Sequence, residues 1–540
     1  MNNKKLIKRQ RRDSIKIKDY SKQKKRLLIA LAILGAIVYV LVLSLDITKK
    51  EEQGQETQEK PPVVEEEKDN TKPVEGGQLR ISVSRFRSVD PYKNKEKSMD
   101  NFFRLVYDSL FEYDGNYNLV KELAAGYAVG EDGKSLIVSI NPNARWHDGS
   151  RVSAEDVAFT ISHIKSSPES PYSHLIRNIS NVTVAGNNVV LDLAKENSLE
   201  VYNLVFPIIN SKSIGQNAVL NDGTFGVIGN GMYRVVEYNK GKDILLKKND
   251  NYYGAKPYIS EIKANIYADS AIRKNMFTAK AIDIIESNYY ELKRYDYDVF
   301  ETQSYQTRQF DFIAFNSKKA PFDQSLNRKE IAKLIDIQEG IKDAYREEAS
   351  ISLLPLQNGS KLNLLTTTLY DKEAIKKIQL LGAKPQRLKI VTDKADPMKH
   401  RMAYVIKSQL AVAGFDSDVI GLSKEELKKA IEENNFDLGV FSYETSLDKD
   451  ITKIFRANPK LFPQNFEKLD TLMQAVYKQS NATFQSQNYL LAQEENLRMM
   501  YYLGIGFRNS YSVYNKRVHG ELDSTAIEFY NGIEKLFIKE

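Results

Sequence analysis

Apolar and polar residues alternate in short runs over the first part of the folded sequence. "QLRISVSRF" (Gln78–Phe86) alternates in the period-2 manner of a strand with one buried face. "SLIVSI" (Ser135–Ile140), "NVVLDL" (Asn188–Leu193), "MYRVVEY" (Met232–Tyr238) and "DILLKK" (Asp243–Lys248) predict further strands. "NKG" (Asn239–Gly241) between the last two predicts a hairpin turn, with glycine free to take positive φ. Further along, helical periods interleave with the strands. "EAIKKIQLLGA" (Glu373–Ala383) predicts an amphipathic helix capped by Gly382, and "RLKIVTD" (Arg387–Asp393) a strand. "MAYVIKSQLAVAGF" (Met402–Phe415) predicts a second helix, ending at Gly414. "DSDVIGL" then reads as a strand, "KEELKKAIEEN" as a helix and "FDLGVFSY" (Phe436–Tyr443) as an apolar strand. That rhythm predicts an α/β layer with parallel pairing, whereas the region before about 260 is richer in strands and hairpins. Two lobes of different texture follow, and no internal repeat is visible.

"NPNARWHDGSRVSAEDVAF" (Asn141–Phe159) holds the single tryptophan, Trp146, beside a His-Asp pair, His147 and Asp148. Ser153 opens a capping box with Asp156, and Ala154, Val157, Ile161 and Ile164 share one helix face. Side chains adjacent in sequence do not easily converge on one substrate atom. The stretch therefore reads as a tight turn feeding a capped helix, with Trp146 a buried anchor, rather than as a catalytic pair.

Charge changes the picture at the N-terminus. Residues 1–26 carry twelve Lys/Arg against two Asp, and residues 46–75 five Lys against ten Asp/Glu, so the net +7 of the chain leaves only +2 for residues 76–540. No footprint for nucleic acid lies in that large part. Between the two charged segments, Leu27 to Leu45 is a 19-residue run without a charge. As a helix it spans roughly 28 Å, against roughly 30 Å of hydrocarbon. It is longer than a signal-peptide core and lacks a convincing small-residue cut site, so it predicts an uncleaved transmembrane helix. The basic flank keeps residues 1–26 in the cytoplasm and the bulk outside the cell membrane. Residues 46–75, rich in Glu, Lys, Gln and Pro, predict a disordered acidic linker. The 540 residues contain no cysteine, which excludes disulfides, thiolate metal sites and cysteine nucleophiles. Five scattered histidines give no spaced metal pair, so no metal and no cofactor is expected. No G-x-S-x-G, H-E-x-x-H or P-loop occurs, and "GVIGNG" (Gly226–Gly231) precedes a strand rather than a helix. No catalytic residue and no enzymatic activity are expected.

"NPNARWHDGSRVSAEDVAFTISHI" resembles the signature of the family-5 extracytoplasmic solute-binding proteins, the oligopeptide-, dipeptide- and nickel-binding components of bacterial ABC importers. Further blocks are similar in the same order: Gly76–Tyr92, "VYDSLFEYDGNYNLVKELAAGYAVGEDGKSLIVSI", Gly229–Ile262, Phe310–Ile341 and Leu503–Glu521. The resemblance covers roughly 76–540. It implies a two-lobed, hinged, periplasmic-binding-protein-like clamp of type II with an extra small subdomain. The expected division is lobe I with its small subdomain over 76–264, an α/β lobe II over 265–500, and a return to lobe I over 501–540. A peptide or other small solute would sit in the cleft of a monomeric ectodomain that serves ABC permease subunits.

The same resemblance implies the ligand residues. In peptide-binding members an aspartate after an apolar strand pairs with the ligand's amino group. The matching stretch, "FDLGVFSYETSLDKDITKIF" (Phe436–Phe455), has Ser446 at that position, with Tyr443 in place of a tryptophan. Either Asp448 or Glu444 substitutes, or the ligand is not a free peptide amine. Met232 and Tyr253 are further departures. Arg85 and Phe86, at the exit of the first strand, are expected to face the cleft. A chain that has lost the amine-pairing residue could also be a sensor or scaffold at the cell envelope, which leaves that alternative open.

Overall fold

The computed structural model describes residues 72–85, 88–211, 227–365, 368–374, 376 and 387–539. The basic tail, the apolar run and residues 46–71 lie outside these residues, as do Phe86 and nearly all of the helix expected over 373–383. Among the described residues no helix is long and apolar enough to cross a membrane.

Strand β1 (Gln78–Val83) opens the fold, and a short hairpin, β2 (Phe111–Tyr113) and β3 (Leu119–Lys121), follows it. Next come β4 (Ala124–Val129), β5 (Ser135–Ile140), β6 (Ile179–Ala185) and β7 (Asn188–Leu193), an antiparallel sheet in the order β4-β5-β7-β6. Helix α1 (Ala154–Lys165) buries Ala154, Val157, Ile161 and Ile164, the face its periodicity predicts. Leu136, Val138, Val189 and Leu191 of the sheet belong to the same core. Each such side chain stabilises by about 1.5–3 kcal/mol relative to exposure. β8 (Tyr233–Asn239), β9 (Asp243–Lys248) and β10 (Glu261–Ile266) complete a second sheet, β1-β10-β9-β8, with β1 parallel to β10. Gly241 turns the β8–β9 hairpin at φ +72°.

The turn before α1 is fixed by hydrogen bonds. Gly149 N–H donates to Trp146 O at 2.9 Å, and Trp146 Nε1–H donates to Asp156 Oδ2 at 3.2 Å, the carboxylate that also accepts from Ser153 N–H at 3.0 Å. His147 Nδ1 accepts from Gly229 N–H at 3.2 Å, so Nε2 carries the proton and donates to Gly231 O at 3.0 Å. A Cβ at Gly229 would lie 2.9 Å from His147 Cε1 and 2.0 Å from Val106 O, so only a glycine here fits between the turn and Val106. Burial pulls the His147 pKa down to about 4. The folded state thus refuses a proton that the unfolded chain accepts near 6.5. Stability from this group is present above about pH 6.5 and is lost as pH falls through about 4. His147→Ala strands a buried N–H and a buried C=O and is expected to cost about 1–3 kcal/mol in urea unfolding at pH 7. It should also flatten the acid limb of the stability curve.

The second half forms one large sheet. β11 (Ile284–Ser287), β12 (Phe300–Phe315), β13 (Ala349–Ile351), β14 (Leu388–Asp393), β15 (Ser417–Leu422), β16 (Leu438–Glu444) and β17 (Tyr502–Asn515) make seven strands, ordered β11-β17-β12-β16-β14-β15 with β13 on β17. β14 pairs in parallel with both β15 and β16, connected by helices α2 (Pro397–Val412) and α3 (Lys424–Glu432), as the alternating pattern predicts. Helix α2 starts five residues before the expected 402, because Asp396 caps it by accepting from Lys399 N–H at 3.2 Å and Pro397 suits the first turn.

β12 and β17 pair antiparallel along the 16 residues of one and the 14 of the other, and both change core part-way. Tyr305 and Tyr514 pack in the first core, with the elements of residues 79–264. Phe310, Phe312 and Phe507 pack in a core with Phe436, Phe455 and Tyr502, while Ile313 and Ile505 join Ile390 and Met402. The pairing slips between Gln306 and Phe310, where the chain passes from one side to the other. A bulge of this kind bends a strand without ending it. The segment expected over 501–540 as a return to lobe I therefore divides. Its first part is β17 of the large sheet. From Val518 onward, Leu522, Phe529, Ile533 and Ile538 rejoin the first core, closed by β18 (Val518–His519) and β19 (Phe537–Ile538). β11 likewise stays near the first core through Ile284. β12 and β17 thus each contribute to more than one core, which strand periodicity alone does not report.

Candidate functional site

A cavity of about 800 Å³ opens where β12 and β17 pass from one core to another. Thr307, Arg308 and Gln309 of β12 and Arg508, Asn509 and Ser510 of β17 line it. Lys97, Glu286 and Ala526 contribute further side chains, and so do Asp393, Lys399, Ser442 and Glu444. Five basic and four acidic side chains line the wall, so it presents both signs of charge to an occupant. No histidine lines it.

Its floor is a buried charge hub. Asp311 on β12 has no solvent exposure. One oxygen, Oδ2, accepts from Arg508 Nε at 2.7 Å and from Tyr345 OH at 2.7 Å, while Oδ1 accepts from Ser442 Oγ at 2.6 Å. Arg508 Nη2 also donates to Asp396 Oδ2 at 2.7 Å, and Lys399 Nζ donates to Ser442 Oγ at 3.1 Å. Burial disfavours the Arg508 charge, but Asp311 and Asp396 more than offset it and hold its pKa above the usual value. Burial raises the Asp396 pKa, and the Arg508 guanidinium overrides it and holds the carboxyl below the usual range. Both signs stay fixed by hydrogen bonds, so the floor is preorganised for polar groups. On the wall, Arg308 donates through Nε to Thr445 O at 2.8 Å and lies 3.5 Å from Glu444. Lys97 pairs with Glu286 at 2.7 Å.

The residues expected from sequence fall in three places. β16 alternates, so Ser442 and Glu444 face the cavity while Tyr443 turns the other way and packs, half-buried, with the Phe310–Phe441 core. Tyr443 does not line this cavity, because the strand period sends it to the opposite face. Burial raises its hydroxyl pKa. Ser446 and Asp448 are brought together with each other, not with the cavity. Ser446 Oγ donates to Asp448 Oδ1 at 2.7 Å, and Lys453 holds the other oxygen of this buried carboxylate. Neither side chain lines the cavity. Arg85 is exposed and outside the lining, although Ser82 of its strand lines a neighbouring cavity of about 180 Å³ that shares Lys97 and Glu286. Phe86 lies outside the described residues. Arg308, Asp311, Lys399, Ser442 and Arg508 were not anticipated. The one available signal was charge inside otherwise apolar strands, as in "RQFDFIAF".

Residues 118–454 match the sequence profile described as "Bacterial extracellular solute-binding proteins, family 5 Middle". The chain belongs to this family. Among curated relatives, the peptidoglycan-binding protein YepA of Agrobacterium fabrum is 25% identical over 193 residues, which are 33% of this chain and 31% of YepA. The match thus spans about a third of that relative's length. Solved structures cover more. The unliganded open form of MppA, a periplasmic murein tripeptide binding protein, superposes with a TM-score of 0.72 at 16% identity, over 87% of this chain and 98% of that one. The substrate-binding protein CtaP of Listeria monocytogenes gives 0.66 at 18% identity, over 86% and 100%. At such identities these two likenesses establish the fold, a mixed α/β architecture, and nothing about cargo.

Proposed function

We propose that this chain is a membrane-tethered, extracytoplasmic substrate-binding component of an ABC importer, gripping a peptide or peptide-like solute between its lobes by hinge closure. The observation that carries the reading is the cavity itself. It is large, it has both signs of charge, and its walls come from both lobes at the strands that join them. An occupant touching both walls stabilises the closed arrangement by its differential affinity for that state. A zwitterionic peptide suits a wall on which Arg308 and Lys399 alternate with Glu444 and Asp393. The names of the relatives, peptidoglycan for YepA and murein tripeptide for MppA, are consistent with peptide-like cargo. The uncharged Leu27–Leu45 run and its basic flank support a single-pass anchor with the N-terminus inside, and permease subunits in the same membrane as partners.

A thermal-shift screen of the full chain against peptide pools tests this. A saturating binder at 100 times its Kd stabilises by about 2.7 kcal/mol. No shift across peptides and small metabolites would remove the transport reading. The inward-closed Ser446–Asp448–Lys453 group favours a second reading, an envelope sensor or scaffold that holds partner proteins instead of solute. Affinity capture from membranes separates the two. A permease with its ATPase supports import, and envelope or signalling proteins alone support the scaffold.

A further inference from the structure

Lys449 is buried without a carboxylate partner at ion-pair distance; Arg328 is too, but four backbone carbonyls accept from its guanidinium, whereas Lys449 has no such set. It is 4% exposed, in the loop that leaves β16. Its neighbour Asp448 is engaged by Ser446 and Lys453. Among the described residues, the hydrogen-bond acceptor within reach of its ammonium is Gln357 Oε1, at a long 3.5 Å. What surrounds the charge is aromatic. Nζ lies 5.1 Å from the ring centre of Tyr113, 5.5 Å from Tyr117 and 5.8 Å from Tyr202. All three distances fall within the roughly 6 Å over which a ring face attracts a cation.

The three rings form a built receptor on the first lobe. Tyr113 and Tyr202 stack at 6.3 Å with planes 23° apart, and Tyr113 and Tyr117 sit at 6.0 Å. Two of the hydroxyls are held elsewhere: Tyr113 OH donates to Tyr202 O at 2.6 Å, and Tyr117 OH donates to Gln306 O at 2.8 Å. The guest is held as firmly. Lys449 adopts φ +58°, in the left-handed region that a lysine seldom occupies, and Tyr489 OH donates to its carbonyl at 2.5 Å. Strained backbone at a buried charge persists only where the surroundings over-determine it. Burial first, and the Arg308 guanidinium second, pull the Lys449 pKa down to about 7, while Asp448 and Asp114 act the other way.

We propose that Tyr113, Tyr117 and Tyr202 are an ammonium receptor on the first lobe, and that Lys449 of the second lobe is its resident guest, latching the lobes together in the absence of solute. The class of molecule that this receptor takes in place of the lysine is a primary or quaternary organic amine. Neither Lys449 nor the three tyrosines line the large cavity.

The test uses the full chain, whose lack of cysteine allows dyes at Lys240→Cys in the β8–β9 turn and Glu432→Cys at the end of α3, both exposed positions. Energy transfer between them reports the lobe separation. Lys449→Met keeps the length of the side chain and removes its charge, and Lys449→Ala empties the receptor. Both are expected to shift the open-to-closed ratio toward open by roughly tenfold. Adding n-butylammonium to the Lys449→Ala protein should restore the wild-type signal, and butan-1-ol should not. If Lys449→Met stays as closed as the wild type, or if alcohol and amine restore Lys449→Ala equally, the site holds volume rather than charge and the proposal fails. Should the alanine variant not fold, the methionine variant decides alone.

Discussion

Asp311→Ala is expected to lower the unfolding free energy by about 3–5 kcal/mol, the usual cost of stripping one partner from a buried ion pair. The carboxylate has no solvent exposure and accepts from Arg508, Tyr345 and Ser442 at once. Its loss leaves Arg508 with Asp396 alone and two hydroxyls without their acceptor. Denaturant unfolding of the full chain measures this directly. Asp311→Asn, which keeps an acceptor oxygen, should lose less. The variant should also lose solute affinity out of proportion to its stability, because Ser442 and Arg508 line the cavity and owe their positions to this carboxylate. A change within about 0.5 kcal/mol, the range of an ordinary surface substitution, would mean that the hub does not hold the floor.

Trp146→Ala is expected to cost a similar amount, about 3–5 kcal/mol, by a different mechanism. The indole is 2% exposed in the first core and anchors the turn into α1 through Asp156. Removing it leaves a cavity that the surrounding strands cannot collapse into. Trp146→Phe retains most of the volume and loses the hydrogen bond, so it should fall near 1 kcal/mol from that bond plus a smaller packing loss. No residue of this turn lines the large cavity. Solute affinity of the folded fraction should therefore be unchanged in both variants and in His147→Ala. The contrast with Asp311→Ala separates residues that build the fold from those that build the floor.

Strands and helices were legible wherever one face is buried, since burial on one side imposes a period of 2 or 3.6 on the sequence. β5, β7 and β9 fall on the residues their alternation predicts, and the Trp-His-Asp-Gly stretch is the structural turn its capping box implies. The site was far less legible. Asp311 and Arg508 are 197 residues apart, and nothing in either local pattern names the other as its partner. The tyrosines around Lys449 were visible only as aromatic core material, because convergence of Tyr113, Tyr117 and Tyr202 on one point is a property of the tertiary fold. Tyr443 lies off the cavity for a simpler reason. Its strand was recognised, but its parity was not, and one residue along a strand is the difference between cavity and core. The motif comparison picked out the Ser446–Asp448 loop, yet that loop turns its carboxylate toward Lys453 instead of the cavity.

Hydrogen–deuterium exchange of the full chain, with and without a peptide pool, tests most directly whether solute sits between the lobes. The account predicts slowed exchange on both sides of the cavity: around Thr307–Gln309 and Arg508–Ser510, where the lobes join, and around Ser442–Glu444 on the second lobe. Protection confined to one lobe, or none at all with peptide in excess, would contradict it.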